Sequence, residues 1–310
     1  MTGNLPMKKY LLISCMALTI AFITFTTGYA HEGTDLSTKD LANQIGKTET
    51  ELKEIDKKII AYNETVKSNP NDADAHFNLG ILYEQKMKFK DAITEYQKTI
   101  QLKPDFIEAR INLSLVYTER NMFGESVGEL KQVLKIDPEN VDAHKYIGRS
   151  YYKTGLLNEA LEEFNKALEL DTSDPEIYSY LESVYFSMKD FDSAVAASKK
   201  AIEIDPQFKI GHLNLGYIYI EQGKLDKAIE EFEIAIGIDP KYAEAYSGIG
   251  TIYCMKKMFD EAITVLKKSI EINPTLPDSH NNLGFAYWNK GLKEKAMREV
   301  TIYKGLIGAQ

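Results

Sequence analysis

The apolar positions of this chain follow a pattern that recurs every 34 residues. Its clearest copy is residues 209–242, KIGHLNLGYIYIEQGKLDKAIEEFEIAIGIDPKY. Leu213, Leu215, Gly216 and Tyr219 mark one helix, and after a turn at Gly223 and Lys224 a second carries Ala228, Ile229, Phe232 and Ala235. Pro240 stops the second helix, because proline has no N–H to donate and its ring clashes with the preceding turn. A shift of 34 residues, without insertion or deletion, places the first-helix tyrosine at Tyr83, Tyr117, Tyr151, Tyr185, Tyr219, Tyr253 and Tyr287. A small residue returns at Ala92, Ser126, Ala160, Ala194, Ala228, Ala262 and Ala296. Proline closes the copy at Pro104, Pro138, Pro206, Pro240 and Pro274, with Thr172 the exception. Seven copies result: 73–106, 107–140, 141–174, 175–208, 209–242, 243–276 and 277–310. A fixed period of this length predicts a solenoid, in which no hairpin buries its apolar face alone and each stacks on its neighbours.

Residue sizes within the copy predict how its helices meet. Position 8 holds Gly80, Ser114, Gly148, Gly216, Gly250 and Gly284, which with the recurring alanine lets the two helices approach closely. The tyrosine, with Phe164, Phe232 and Leu266, is expected to fill the wider gaps. The fourth copy departs: Glu182 stands at position 8, Ser198 replaces the large residue at position 24, and Thr172 and Pro175 displace the usual proline. Bulk and charge at a close crossing predict the least regular packing around copies three and four. In the last copy Lys293 replaces the apolar turn residue seen as Phe89, Phe191 and Phe259. It ends in Val300, Ile302, Tyr303, Leu306 and Ile307 with no polar capping helix after it, so this helix is expected either to fray or to meet a partner or a second copy. Upstream, Leu52, Ile55, Ile59, Tyr62 and Val66 form one apolar stripe, with Tyr62 and Pro70 in register with Phe232 and Pro240. Residues 48–72 are therefore expected to be a degenerate leading copy that caps the solenoid, a short dimerising coiled coil being the alternative. Residues 31–47 are polar and are expected to form a linker.

The chain has 310 residues, of which 44% are hydrophobic and 27% charged, and a formal net charge of −9. An acidic chain without a basic stripe argues against nucleic acid, since phosphate binding needs clustered Lys and Arg. Lys8 and Lys9 precede an uncharged apolar run that ends in small residues at Gly28 and Ala30. Residues 1–30 are thus expected to be a signal peptide cut before His31, or else a retained membrane anchor. A third reading takes Leu12, Ile13, Ser14 and Cys15 as a lipoprotein box. Each predicts export, to a periplasm or to a membrane-tethered place in the envelope. Cleavage would remove Lys8 and Lys9 and leave −11, with Cys254 as the one remaining cysteine, expected to be a small buried side chain.

The chemistry expected of the chain is thin. His76, His144, His212 and His280 recur at position 4, two copies apart, too far from one another to share a metal. They are expected to pack where Tyr178 and Tyr246 stand in other copies. No nucleotide-binding, metalloprotease or nucleophile-elbow motif is present. Carboxylates such as Glu230, Glu231 and Glu233 lie on helix faces expected to be solvated, so no catalytic residue, metal or cofactor is predicted.

The hairpin copies resemble the tetratricopeptide repeat (TPR) family over roughly three quarters of the chain. The resemblance implies an all-α right-handed superhelix of seven helix-turn-helix repeats and a non-enzymatic scaffold that binds protein. In that family the first helices line a groove. Carried over residue by residue, position 6 supplies Asn78, Asn112, Asn214 and Asn282, similar to an asparagine ladder that hydrogen-bonds a peptide backbone, interrupted by Tyr146, Tyr180 and Gly248. Phe77, Ile81, Tyr217, Phe285 and Trp288 would add apolar contacts, and Lys145 with Arg149 the one inward basic pair. Tyr180 stands where a carboxylate-gripping repeat needs asparagine, so the resemblance favours an extended or helical segment over an acidic C-terminal tail. An accessory substrate-binding module for a glycan- or polymer-modifying enzyme is the alternative, and self-association through the last helix a further expectation.

Overall fold

The computed structural model describes residues 38–308. Among them are fifteen α-helices and no strand. Helix α1 (Thr38–Ser68) is followed by seven hairpins. Two compact units divide the chain at Pro138 and Glu139. The first contains α1, α2 (Ala73–Gln85), α3 (Phe89–Leu102), α4 (Ile107–Glu119) and α5 (Phe123–Ile136). The second contains α6 (Val141–Lys153), α7 (Leu157–Leu170), α8 (Pro175–Ser187), α9 (Phe191–Ile204) and α10 (Lys209–Glu221). It continues with α11 (Leu225–Ile238), α12 (Ala243–Met255), α13 (Phe259–Ile272), α14 (Pro277–Asn289) and α15 (Lys293–Gly308). Within each unit a helix packs on the next along the chain, and first helices also touch: α2 on α4, then α6 on α8, α8 on α10, α10 on α12 and α12 on α14.

Helix α1 begins well before Glu51, so the linker expected over 31–47 is helical from Thr38 onward. No proline interrupts this stretch. The last turns of α1 meet α2 as α3 meets α4: Asn63 Nδ2 donates to the Tyr83 hydroxyl (3.3 Å), and Gln97 Nε2 to the Tyr117 hydroxyl (3.0 Å). The leader, residues 1–30, lies outside the described residues. Among the described residues no helix is long and apolar enough to cross a membrane.

Each hairpin turns in one way. The residue after the first helix cap has a left-handed backbone at Met87, Asn121, Gly155, Lys189, Gly223, Lys257 and Gly291, with φ between 55° and 79°. The next N–H then reaches back to the carbonyl of the recurring tyrosine, as Lys224 does to Tyr219 at 2.8 Å, closing the helix end. Between hairpins, Asp239 accepts from the Lys241 N–H (2.9 Å) across Pro240, and Asp171 accepts from the Ser173 N–H (2.8 Å) across Thr172. The aspartate shapes this turn with or without proline, which is why Thr172 is tolerated.

The core is built on a contact between small and large residues. A Cβ added to Gly216 would lie 2.5 Å from Phe232 Cε1, and one added to Gly248 would lie 2.5 Å from Phe232 Cζ. Gly80 faces Tyr96, Gly148 faces Phe164 and Gly250 faces Leu266 in the same way. The fourth hairpin reverses the sizes, with Glu182 and Ser198 both buried. The widening expected there does not occur, since α8 lies against α9 as closely as its counterparts do. By register, the large residue stands here on the first helix and the small one on the second. The thin joint lies one step earlier: within 139–310, α7 on α8 is the sparsest packing between successive hairpins.

This exchange predicts coupling between the two positions. Ser198→Phe alone overpacks against Glu182 and should cost about 1–3 kcal/mol, whereas in a Glu182→Gly background it restores the Gly216–Phe232 arrangement. Urea unfolding of the four proteins should give a favourable coupling of about 1 kcal/mol or more, and additive effects would contradict the exchange.

Candidate functional site

The candidate groove residues differ in what occupies them. In the first unit Asn78 Nδ2 donates to the Asp74 carbonyl of its own helix (2.7 Å). Asn112 is hydrogen-bonded to the Tyr96 hydroxyl, which donates to Glu84 (2.8 Å). Phe77 packs against Phe106 at 4.7 Å and Tyr96 at 5.9 Å, and half-buried Ile81 joins the same cluster. Phe77, Ile81 and Asn112 thus serve the packing of their own unit, while Asn78 turns back on its own helix.

In the second unit Lys145 corrects the sequence reading. It is 7% exposed and holds Asp174 at 2.9 Å and Asp142 at 3.1 Å, with its ammonium 5.2 Å from the Tyr146 ring centroid. Burial alone would lower its pKa, but Tyr146, Asp174 and Asp142 more than offset this and hold it above the usual lysine range. Its charge is spent inside the fold rather than offered to a ligand. Arg149 is half-buried beside Tyr146 and Tyr180. Tyr180 stacks on Phe164, with centroids 5.4 Å apart and planes at 7°. At the far end Phe285 and Trp288 are about half exposed, with Phe285 edge-on to Phe259. On α15, Ile302 and Ile307 are exposed, while Val300, Tyr303 and Leu306 are half-buried.

The first-helix face of this unit opens into a cavity of about 390 Å³. Tyr152, Phe186, Tyr217 and Ile220 wall it, and Glu182, Ser183, Asn214, Glu221 and Thr251 supply its polar atoms. Helices α6, α8, α10 and α12 each contribute, so the site needs the stacking of four successive hairpins. Two of the thirteen candidates, Asn214 and Tyr217, line it. Tyr217 is held edge-on to Phe232 (5.2 Å), and burial pushes its phenol up to about 12. Asn214 Nδ2 donates backward to Glu182 Oε2 (2.6 Å) and Ser179 Oγ (3.2 Å). Asn282 does likewise to Thr251 Oγ1 (2.8 Å). Rungs of the ladder in this unit therefore tie one hairpin to the one before, leaving each side-chain carbonyl to accept from elsewhere.

Glu182 is the unusual member of the site. It is 4% exposed, and its Oε2 accepts from Asn214 and from Ser183 Oγ (3.3 Å). Oε1 takes no hydrogen bond, and no cationic side chain pairs with it among the described residues. Burial pushes its pKa up to about 7, only partly opposed by the hydrogen bonds from Ser183 and Asn214. The sequence marked the position as deviant, but only the fold shows that the carboxyl lines a cavity.

The four histidines carry more than packing. Nδ1 of His76, His144, His212 and His280 lies 2.6–2.7 Å from a second-helix carboxylate, on Glu95, Glu163, Glu231 and Glu299. Arg110 takes the same place opposite Glu129 (2.5 Å). His280 also meets the Pro274 carbonyl through Nε2 (2.9 Å); burial alone would lower its pKa, but Glu299 and this carbonyl hold it above the ordinary histidine value. The signal was in the sequence: each position-4 His or Arg has Glu nineteen residues on, whereas Tyr178 and Tyr246 have Ala197 and Val265. Cys254 is buried against the Asn282 carbonyl, and burial pushes its thiol up to about 11. Among the described residues no group of three His, Cys, Asp or Glu is placed to hold a metal.

The Glu182 carboxyl should leave its mark on stability. Its folded pKa of about 7 lies above the ordinary 4.5, so between these values the folded chain keeps a proton that the unfolded chain releases. Stability from this group is therefore full below about pH 4.5 and is lost as pH rises through 7. Glu182→Gln should escape that loss. The unfolding free energy of the variant minus that of the parent should rise between pH 5 and pH 8, by on the order of 2–3 kcal/mol at most. A flat difference across this range would contradict the assignment.

A TPR repeat family model matches residues 148–181, 216–257 and 250–291. Tetratricopeptide repeat models match 73–106, 197–230 and 183–208. None of the curated proteins matches the chain. Among solved structures, yeast Tom70 is 20% identical with a TM-score of 0.67, covering 89% of this chain and 62% of its own. PilF of Pseudomonas aeruginosa is 18% identical with a TM-score of 0.57, covering 66% of this chain and 93% of its own. MamA is 33% identical over 52% of this chain and 95% of its own, with a TM-score of 0.46. This chain thus spans less than two thirds of the Tom70 chain, and the Tom70 and PilF likenesses, both under 25% identical, show the fold alone. The repeat matches, the 34-residue period and the stacked hairpins together establish that the chain belongs to the tetratricopeptide repeat family.

Proposed function

We propose that the chain is a non-enzymatic scaffold of the cell envelope that binds an extended or helical peptide segment on the first-helix face of residues 139–310. Tetratricopeptide repeat proteins bind protein or peptide partners and are generally non-catalytic. The observation that carries the choice of face is the cavity of about 390 Å³, where aromatic walls meet Asn214. Its polar atoms can satisfy a peptide backbone while Tyr152, Phe186 and Tyr217 take apolar side chains. The envelope assignment rests on the basic, apolar and small-residue order of residues 1–30. The accessory-module reading stands second, because no transferase or hydrolase signature accompanies the repeats.

Photo-crosslinking in cells from position 217, with the adduct identified by mass spectrometry, tests the face directly. One dominant protein adduct, lost in Asn214→Ala, is the expected result. A glycan-bearing or enzyme-linked adduct would favour the accessory module. No adduct from position 217 beside a strong one from position 303 would move binding to α15, and an adduct there with a second copy of the chain would establish self-association.

A further inference from the structure

We propose that the cavity beside Glu182 receives a basic side chain of the bound peptide, a lysine ammonium or an arginine guanidinium, with the Glu182 carboxylate as its counter-charge. The inference rests on the peptide-binding reading and names the chemistry of one subsite. An ionised carboxylate out of water costs several kcal/mol unless it is paired. Every other copy places Gly or Ser at position 8, so packing does not call for an acid there. Asn214 and Ser183 hold one oxygen, which fixes the carboxyl while leaving Oε1 without a donor in a cavity that opens outward.

The surroundings fit a cation carried on an apolar stem. Tyr152, Phe186 and Tyr217 present ring surfaces that attract an ammonium or guanidinium. Ile220 offers a surface for the methylenes. Exposed Glu221 adds a second negative charge to the lining, and no Lys or Arg lines the cavity to oppose an incoming cation. Of the two basic candidates on α6, Lys145 is already neutralised by Asp142 and Asp174, and Arg149 does not line the cavity. An acidic segment would instead meet two carboxylates.

The test is calorimetric titration of the full chain with four acetylated, amidated heptapeptides. They share apolar flanks and differ at the centre, which is Lys, Arg, norleucine or Glu. The Lys and Arg peptides should bind about tenfold tighter than the norleucine peptide, and the Glu peptide weakest. In Glu182→Gln the Lys and Arg preference should vanish while norleucine binding persists. Tyr152→Leu keeps the carboxyl and should reduce the preference by a factor of about two to five. Equal binding of all four peptides, or a preference that survives Glu182→Gln, would overturn the cation subsite and leave the peptide-binding reading standing. Absence of binding by any peptide, together with no crosslink from position 217, would overturn both. Spermidine serves as the free-amine control: Glu182-dependent binding tighter than that of the Lys peptide would overturn the assignment to a peptide side chain.

Discussion

The structure depends on a contact between a residue without bulk and a residue with too much of it. Phe232 lies where Gly216 and Gly248 leave room, and a single Cβ on either glycine would enter its ring. The contact sets how closely the two helices of a hairpin approach and how closely the next hairpin stacks. Interiors packed at crystal-like density transmit such a constraint along the chain, so the period must hold to the residue. That explains seven copies without an insertion, and a turn geometry kept even where Met87, Asn121, Lys189 and Lys257 bear a left-handed backbone that glycine would adopt more easily. Ion pairs follow the same register: Lys86 with Asp56, Lys256 with Asp226 and Lys290 with Asp260 each join one hairpin or leading helix to the next.

The candidate site arises where this constraint is met in reverse. At the fourth hairpin the small residue is on the second helix and the large one on the first. A carboxyl thereby reaches the first-helix face, where other hairpins show backbone, and Asn214 of the next hairpin turns back to hold it. Packing and chemistry meet in one side chain. The same exchange that keeps α8 and α9 together leaves a buried acid facing a cavity, and the site has its polarity because the core has its exception.

Much of this was legible beforehand. Period, helix pairing and turn positions follow from the tyrosine and alanine series, because these residues answer to local packing that repeats. The oddity of Glu182 and Ser198 is visible in the sequence, but its sense is not: one sequence shows two deviations, and only the fold shows that both side chains are buried while their helices still pack. The groove was less legible. Lys145 is expected to face a ligand, yet Asp174, the last residue of the same copy and the cap of the next helix, reaches back to it, a contact that the order of residues along one helix does not show. The His and Glu pairs could have been found by asking which positions vary together from copy to copy. The start of α1 is not legible in the sequence, because a polar stretch without proline is as compatible with a helix as with a linker.

Glu182, a buried acid that lacks a counter-charge, is where core and site meet. Its titration can be followed by carboxyl carbon NMR in the chain without ligand, with Glu182→Gln assigning the resonance. A midpoint near 7 is expected. A midpoint in the ordinary carboxylate range near 4.5 would mean that the carboxylate is already stabilised without a ligand, and would contradict its standing as a buried acid that lacks a counter-charge.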